Sequence, residues 1–184
     1  MMTGKDFYKA SHSAAKFVKR GYGQVEPNHL SAQHTGQIYA QLPADSSIEV
    51  LENGQFVKYD YANGKVDTTG KGEWMLVFNE IKLYDERKQM YKDYAQLKSE
   101  AVDGVIVPRV FKTNIGDIYT TNCVEDAYTN LTDYSISVGD LLKVSDKGYL
   151  VKGGNISTDS MVWEVVKVYT LADGQPAIKV MRVK

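Results

Sequence analysis

From Gln37 onward, apolar and polar residues alternate in short runs, and turn residues separate the runs. That period of two is the mark of half-buried β-strands. "QIYAQL" predicts a short strand. "SIEVLENGQFVKYDY", residues 47 to 61, predicts a β-hairpin, with Asn53-Gly54 supplying the positive φ of a tight turn. "YANGKVD" repeats the Asn-Gly turn at Asn63-Gly64, and "GEWMLVFNE" predicts a strand rich in aromatic and branched residues. "VDGVIVPRVFKTN" places Asp103-Gly104 ahead of a strand that Pro108 marks as an edge or a bulge. "GDIYTTN" is a further short strand, and "DLLKVSDKGYLVKGG" predicts a second hairpin turning at Lys147-Gly148.

The chain closes on a long hairpin around Asp173-Gly174. In its first arm Val162, Glu164, Val166 and Val168 alternate with Trp163, Val165, Lys167 and Tyr169. Neither set is wholly polar, so this strand is expected to be covered on both faces. One stretch departs from the β pattern. "IKLYDERKQMYKDYAQLKSEA" carries helix formers, with Tyr84, Arg87, Tyr91, Tyr94 and Leu97 at three- to four-residue steps, and predicts one helix near residues 81–101. The whole implies a mainly β fold: an antiparallel β-barrel or sandwich built from hairpins. A single body over residues 37–184 and two small β-units split near residues 101–135 both fit the pattern.

Residues 1–36 lack a sustained period of two and form an N-terminal arm ahead of that body. Phe7, Ala10, Ala14, Phe17 and Val18 would share one face of a short helix over residues 5–19, and residues 20–36 read as an extended tether. Charge is lopsided: up to Gly23 the arm holds Lys5, Lys9, Lys16, Lys19 and Arg20 against Asp6 alone. Disordered segments are poor in aromatics, yet this one keeps several. A disordered tail and an arm that orders on a partner both fit; in the second case the contacts are expected through Phe7, Tyr8, Lys16, Phe17, Lys19, Arg20 and Tyr22.

The 184 residues suffice for one core or two small ones, and a formal net charge of −1 argues against nucleic acid as the main partner. No run reaches the ~18 apolar residues of a membrane helix, and the first residues lack an apolar export core. The single cysteine, Cys123, cannot form an internal disulfide and is expected to be a small buried filler. The sequons at Asn130 and Asn155 lie in turn-like stretches and, with no export signal, carry no expectation of glycosylation.

Candidate chemistry is sparse. His12, His29 and His34 all lie in the arm, away from the rigid support a metal site requires, so neither a metal nor a cofactor is expected. The phosphate-binding and nucleophile-elbow glycine motifs do not occur. The adjacent carboxylates Asp85-Glu86 and Glu125-Asp126 point in different directions on a regular element. Thirteen tyrosines is a high count; Tyr59, Tyr61, Tyr149 and Tyr169 fall on alternating strand positions, where they offer wide contact area with a polar tip.

The order of elements carries a resemblance. "LENGQFVKYDYANGKVD" followed by "GEWMLVFNEIKLYD", with "GDLLKVSDKGYLVKGG" further on, resembles the auxiliary (minor or decoration) capsid proteins of tailed bacteriophages over roughly residues 36–184. That resemblance implies a non-enzymatic virion protein, assembled in the host cytoplasm, whose partners are the major capsid protein and neighbouring copies of itself. It implies neither a nucleic-acid nor a membrane partner. Two other classes fit the residues: a surface β-module that binds glycans, which would want exposed Trp or Tyr beside carboxylates, and a small hydrolase, for which Asp117, Glu125 and Asp140 would be the groups to inspect.

Overall fold

In a computed structural model of the chain, the structure describes residues 23–31, 40–79, 95–125, 136–171 and 175–184. The fold is mainly β, with antiparallel sheets. The larger sheet has six strands: β1 (Val25–His29), β9 (Ile118–Thr121), β10 (Leu141–Val144), β11 (Leu150–Lys152), β12 (Val162–Thr170) and β13 (Pro176–Arg182), in the order β1-β9-β13-β12-β10-β11. The second sheet joins β2 (Ala40–Gln41), β4 (Phe56–Asp60), β5 (Lys65–Asp67), β6 (Met75–Val77) and β8 (Arg109–Phe111) in the order β2-β8-β6-β4-β5. A two-stranded ribbon pairs β3 (Val50–Glu52) with β7 (Ala95–Leu97). Both larger sheets are open, so the arrangement is a sandwich.

The second sheet is covered on both faces. Its strands send alternate residues to two cores. Phe56, Trp74 and Leu76 pack with Tyr119, Leu142, Leu150, Trp163, Val165 and Ile178 of the six-stranded sheet. Val57, Met75, Val77 and Val110 face the other way, onto Leu51, Val66 and Ile106. This explains the unbroken apolar run "WMLV": a strand buried on both faces has no polar side to show. Trp163 is the centre of the first core, with Tyr119 edge-on at 5.0 Å between ring centroids and Phe56 tilted at 5.9 Å.

The long β12 and β13 strands pair as expected, with a bulge that sequence parity conceals, and the expected turn at Asp173-Gly174 lies outside the described residues. Val165 pairs with Val180 and Lys167 with Lys179, so Val166 is the extra residue. Below the bulge Trp163 and Val165 face the first core; above it Val168 does, and Lys167 turns to solvent. The mixed character of the two alternating sets comes from this swap of faces. The second hairpin also forms: Val144 pairs with Leu150, and the Ser145 amide donates to the Tyr149 carbonyl at 2.8 Å, closing a three-residue loop at 146–148. Gly148, at φ +82°, is the left-handed residue such a loop requires.

Four expectations need correction. Asn53-Gly54 is a turn but not a hairpin: β3 pairs with β7, and β4 with β5 and β6. Gln55 N–H donates to the Glu52 carbonyl at 3.1 Å, and positive φ falls on Gly54 alone (+93°). Positive φ only at the second central residue belongs to turns that splay flanking strands, so the chain changes layer here. The helix over 81–101 does not extend to its predicted end. Residues 80–94 lie outside the described residues, but Ala95–Leu97 is strand, because its backbone completes the ribbon with β3, and Lys98–Glu100 is a 3-10 turn. Pro108 precedes β8, and β8 lies inside its sheet between β2 and β6. Finally, residues 23–31 are not tether. Val25–His29 forms the edge strand β1 on β9, and Val25 and Leu30 are buried in the first core. Pro27 sits where the β1 register shifts, at a sheet edge, where its missing N–H costs no ladder bond.

The glycines give a ranked test. A Cβ on Gly148 would lie 2.2 Å from the Phe56 carbonyl oxygen, and one on Gly54 would lie 2.7 Å from Cys123 Cβ. Gly64 shares the positive φ (+63°) but faces open space. Gly64→Ala should cost about 1 kcal/mol in urea unfolding. Gly54→Ala and Gly148→Ala should each cost at least ~2 kcal/mol more, since overpacking adds to backbone strain. Equal costs at all three sites would contradict the close approach.

Candidate interaction surface

The arm residues expected to bind a partner, Phe7, Tyr8, Lys16, Phe17, Lys19, Arg20 and Tyr22, lie outside the described residues. What the structure describes is the place where that segment joins the body. Gln24 N–H donates to Asn122 Oδ1 at 2.7 Å, and Thr121 Oγ1 donates to the Gln24 carbonyl at 2.7 Å. A Cβ on Gly23 would lie 2.5 Å from the Asn53 carbonyl oxygen, so the chain passes hard against the Glu52–Phe56 corner. At the other end of β1, Ser31 donates through both its N–H, at 3.0 Å, and its hydroxyl to Asp117 Oδ1. The nine residues 23–31, ahead of the expected body, are thus fastened at both ends.

The corner itself is polar and buried. Glu52 and Asn53 are fully buried and Gln55 nearly so. The Tyr149 hydroxyl donates to Glu52 Oε1 at 3.0 Å. Gln55 Nε2 donates to the Lys147 carbonyl at 2.8 Å, and Phe56 N–H to the Gly148 carbonyl at 2.7 Å. Asn53 Oδ1 accepts from Asn79 N–H at 2.7 Å, and Asn79 Oδ1 accepts from Arg109 N–H at 2.8 Å. Sequence patterning did not mark this cluster, because Glu, Asn and Gln around a turn read as solvated.

The groups inspected for chemistry are held apart in separate roles. Asp117 is buried and, besides Ser31, accepts from Asn114 N–H at 2.8 Å. Asp140 pairs with Lys152 at 2.7 Å and accepts from Ser137 N–H at 2.7 Å, contacts that hold its carboxyl below the usual range, the Lys152 bond foremost. Glu125 faces Lys147 at 3.4 Å. Cys123 is fully buried against Tyr149, as expected of a filler. Burial, and then the charge of Glu52, push its thiol well up, away from the nucleophilic thiolate. His29 is exposed on β1; His12, His34, Asp85, Glu86 and Asp126 lie outside the described residues. Among the described residues no three metal-ligating side chains converge, and no helix is long and apolar enough to cross a membrane.

Among the described residues, aromatic placement is mostly inward. Trp163 and Tyr119 are fully buried and Trp74 nearly so, with Lys58 Nζ 4.4 Å from its ring centroid. Tyr149 is in the corner, and Tyr59 packs on the second core while stacking on exposed Tyr61 at 4.1 Å. Among the described residues three exposed valines share the loop before β8, Val102 at 84%, Val105 at 44% and Val107 at 43%, while Ile115, Val138 and Ile156 are exposed singly elsewhere. No protein-family model matches the chain, and neither curated proteins nor solved structures give a significant match.

Tyr149→Phe should remove the bond to Glu52 inside the corner and cost about 1–3 kcal/mol in chemical denaturation. Asp140→Asn tests the surface tie by pH. A carboxyl whose folded pKa is depressed stabilises above its unfolded value, about 3.9, and loses that contribution as pH falls through the folded pKa. The wild type should therefore be the more stable protein at pH 7. Thermal melts of the two should converge below pH ~4. A gap unchanged at low pH would show that the carboxylate charge is not what stabilises.

Proposed function

We propose that this protein is a non-enzymatic structural component of a phage virion that binds the outer capsid surface as an auxiliary protein. The observation that carries the reading is the fastening of residues 23–31 to the sandwich. It roots the basic, aromatic segment ahead of Gly23 at one point of a cross-tied body. Such a body presents surface and holds a binding segment in place. The titratable groups described are tied into the fold individually, which suits a scaffold better than a catalyst. The resemblance of residues 36–184 to auxiliary capsid proteins points the same way. The major capsid protein and neighbouring copies are the proposed partners. The buried positions of Trp74 and Trp163 weigh against a glycan platform built on them.

The test is co-sedimentation with capsids that lack the protein. Deleting residues 1–22 should leave a cooperatively melting β-protein that no longer attaches. Deleting residues 1–31 should also destabilise it, because β1 and Leu30 leave the first core. If the chain beginning at Gly23 decorates capsids as tightly as the full chain, the segment is not the tether. The valine loop at 102–107 would then be the surface to mutate.

A further inference from the structure

The chain holds two Asn-Gly pairs, the dipeptide most prone to spontaneous deamidation, because glycine leaves the following amide nitrogen sterically open. The fold treats them oppositely. Asn53 is fully buried, with its Oδ1 accepting from Asn79 N–H at 2.7 Å and its Nδ2 donating to the Asn79 carbonyl at 3.3 Å. The amide of Gly54, which would be the attacking nitrogen, donates to the Val77 carbonyl at 2.9 Å. Asn63 and Gly64 are both exposed at the tip of the β4–β5 hairpin, and nothing lies within 4 Å of where a Gly64 Cβ would stand. The Asn63 side chain is held by one solvent-exposed bond, from Nδ2 to Asp60 Oδ2 at 2.7 Å.

We infer that Asn63 is a self-modifying site of the folded protein, converting to aspartate and isoaspartate while Asn53 is preserved. The Gly64 nitrogen bonds to Asn63 Cγ, and the bond from Cγ to the side-chain nitrogen breaks. The leaving nitrogen departs as ammonia, taking the Gly64 amide proton with it. Water then adds to either carbonyl of the cyclic imide and opens it to a normal or a β-linked aspartate; no oxidation state changes. The product sets a new carboxylate against Asp60 where an amide had donated, and the β-linked form lengthens the turn by one backbone carbon. Both changes loosen the clasp that closes the hairpin through Asp60, whose oxygens also accept from the Ala62 and Asn63 amides.

The folded protein is incubated at mildly alkaline pH and then digested with trypsin. Mass spectrometry follows the peptide from Tyr59 to Lys65 and the separate peptide carrying Asn53, and an isoaspartyl methyltransferase labels the β-linked product. A parallel sample is kept in urea. In the folded sample Asn63 should convert on the order of 10-fold faster than Asn53 or more, since reaction at Asn53 requires the corner to open first. In urea the two should react at comparable rates. Asn63→Gln should abolish the acidic species on isoelectric focusing. Comparable folded-state rates at the two sites, or faster conversion at Asn53, would overturn the inference, as would an intact Asn63 in folded protein when the urea sample reacts.

Discussion

Phe56 N–H meets the Gly148 carbonyl at 2.7 Å, and through that bond the tip of one sheet's hairpin is seated on the corner where the other sheet begins. The contact is possible only because residue 148 has no side chain; a methyl there would overlap the Phe56 carbonyl oxygen. Around it, Gln55 reaches the Lys147 carbonyl and Tyr149 reaches Glu52. Buried polar side chains are costly without partners, and Glu52 Oε1, Asn53 Oδ1 and Gln55 Nε2 each meet one from another segment. The corner and the hairpin tip therefore depend on each other. A second tie joins the sheets through Arg182, which donates to the Thr113 carbonyl and Thr113 Oγ1 and pairs with Glu73 at 2.9 Å.

The β character and the second and last hairpins were legible, because period-two patterning and turn residues are local. The misreadings were all non-local. Asn53-Gly54 has the composition of a hairpin turn, yet which strand β3 pairs with is decided by the distant segment at Ala95–Leu97. Parity failed in β12 because a bulge is invisible until the partner strand is known. Residues 23–31 look irregular because an edge strand carrying Pro27 shows little alternation: Val25 and Leu30 are buried, and the four residues between them are exposed.

Of the tyrosines that the structure describes, Tyr119 and Tyr149 are interior, and there is a physical reason why this residue type alone does not mark an interface. A phenol serves an interface and a polar interior equally well, since both need a flat apolar body with one hydrogen-bonding tip. Tyr149 spends its hydroxyl on Glu52, and Tyr119 braces Trp163 edge-on. Of the four alternating tyrosines singled out in the sequence, Tyr61 is exposed, Tyr59 is half-buried and Tyr149 is interior. Among the described residues, exposed apolar area includes three valines on the 102–107 loop, where Asp103, at φ +54°, holds a left-handed backbone beside Gly104.

The root of the arm matters to the proposed attachment through entropy. A segment joined to a body by a long free tether samples a wide volume, and its effective concentration at a neighbouring site falls with tether length. Here the chain is fastened from Gly23 onward, within one residue of a backbone amide held by Asn122. A binding segment ahead of that point works at the shortest reach the fold allows. On a capsid surface this geometry favours engagement of the subunit directly beneath the body, or the copy beside it, over distant ones. The same fastening joins binding to stability. Gln24, Thr121 and the Glu52–Phe56 corner share one packed region, so tension on the arm would be borne by the joint between the sheets.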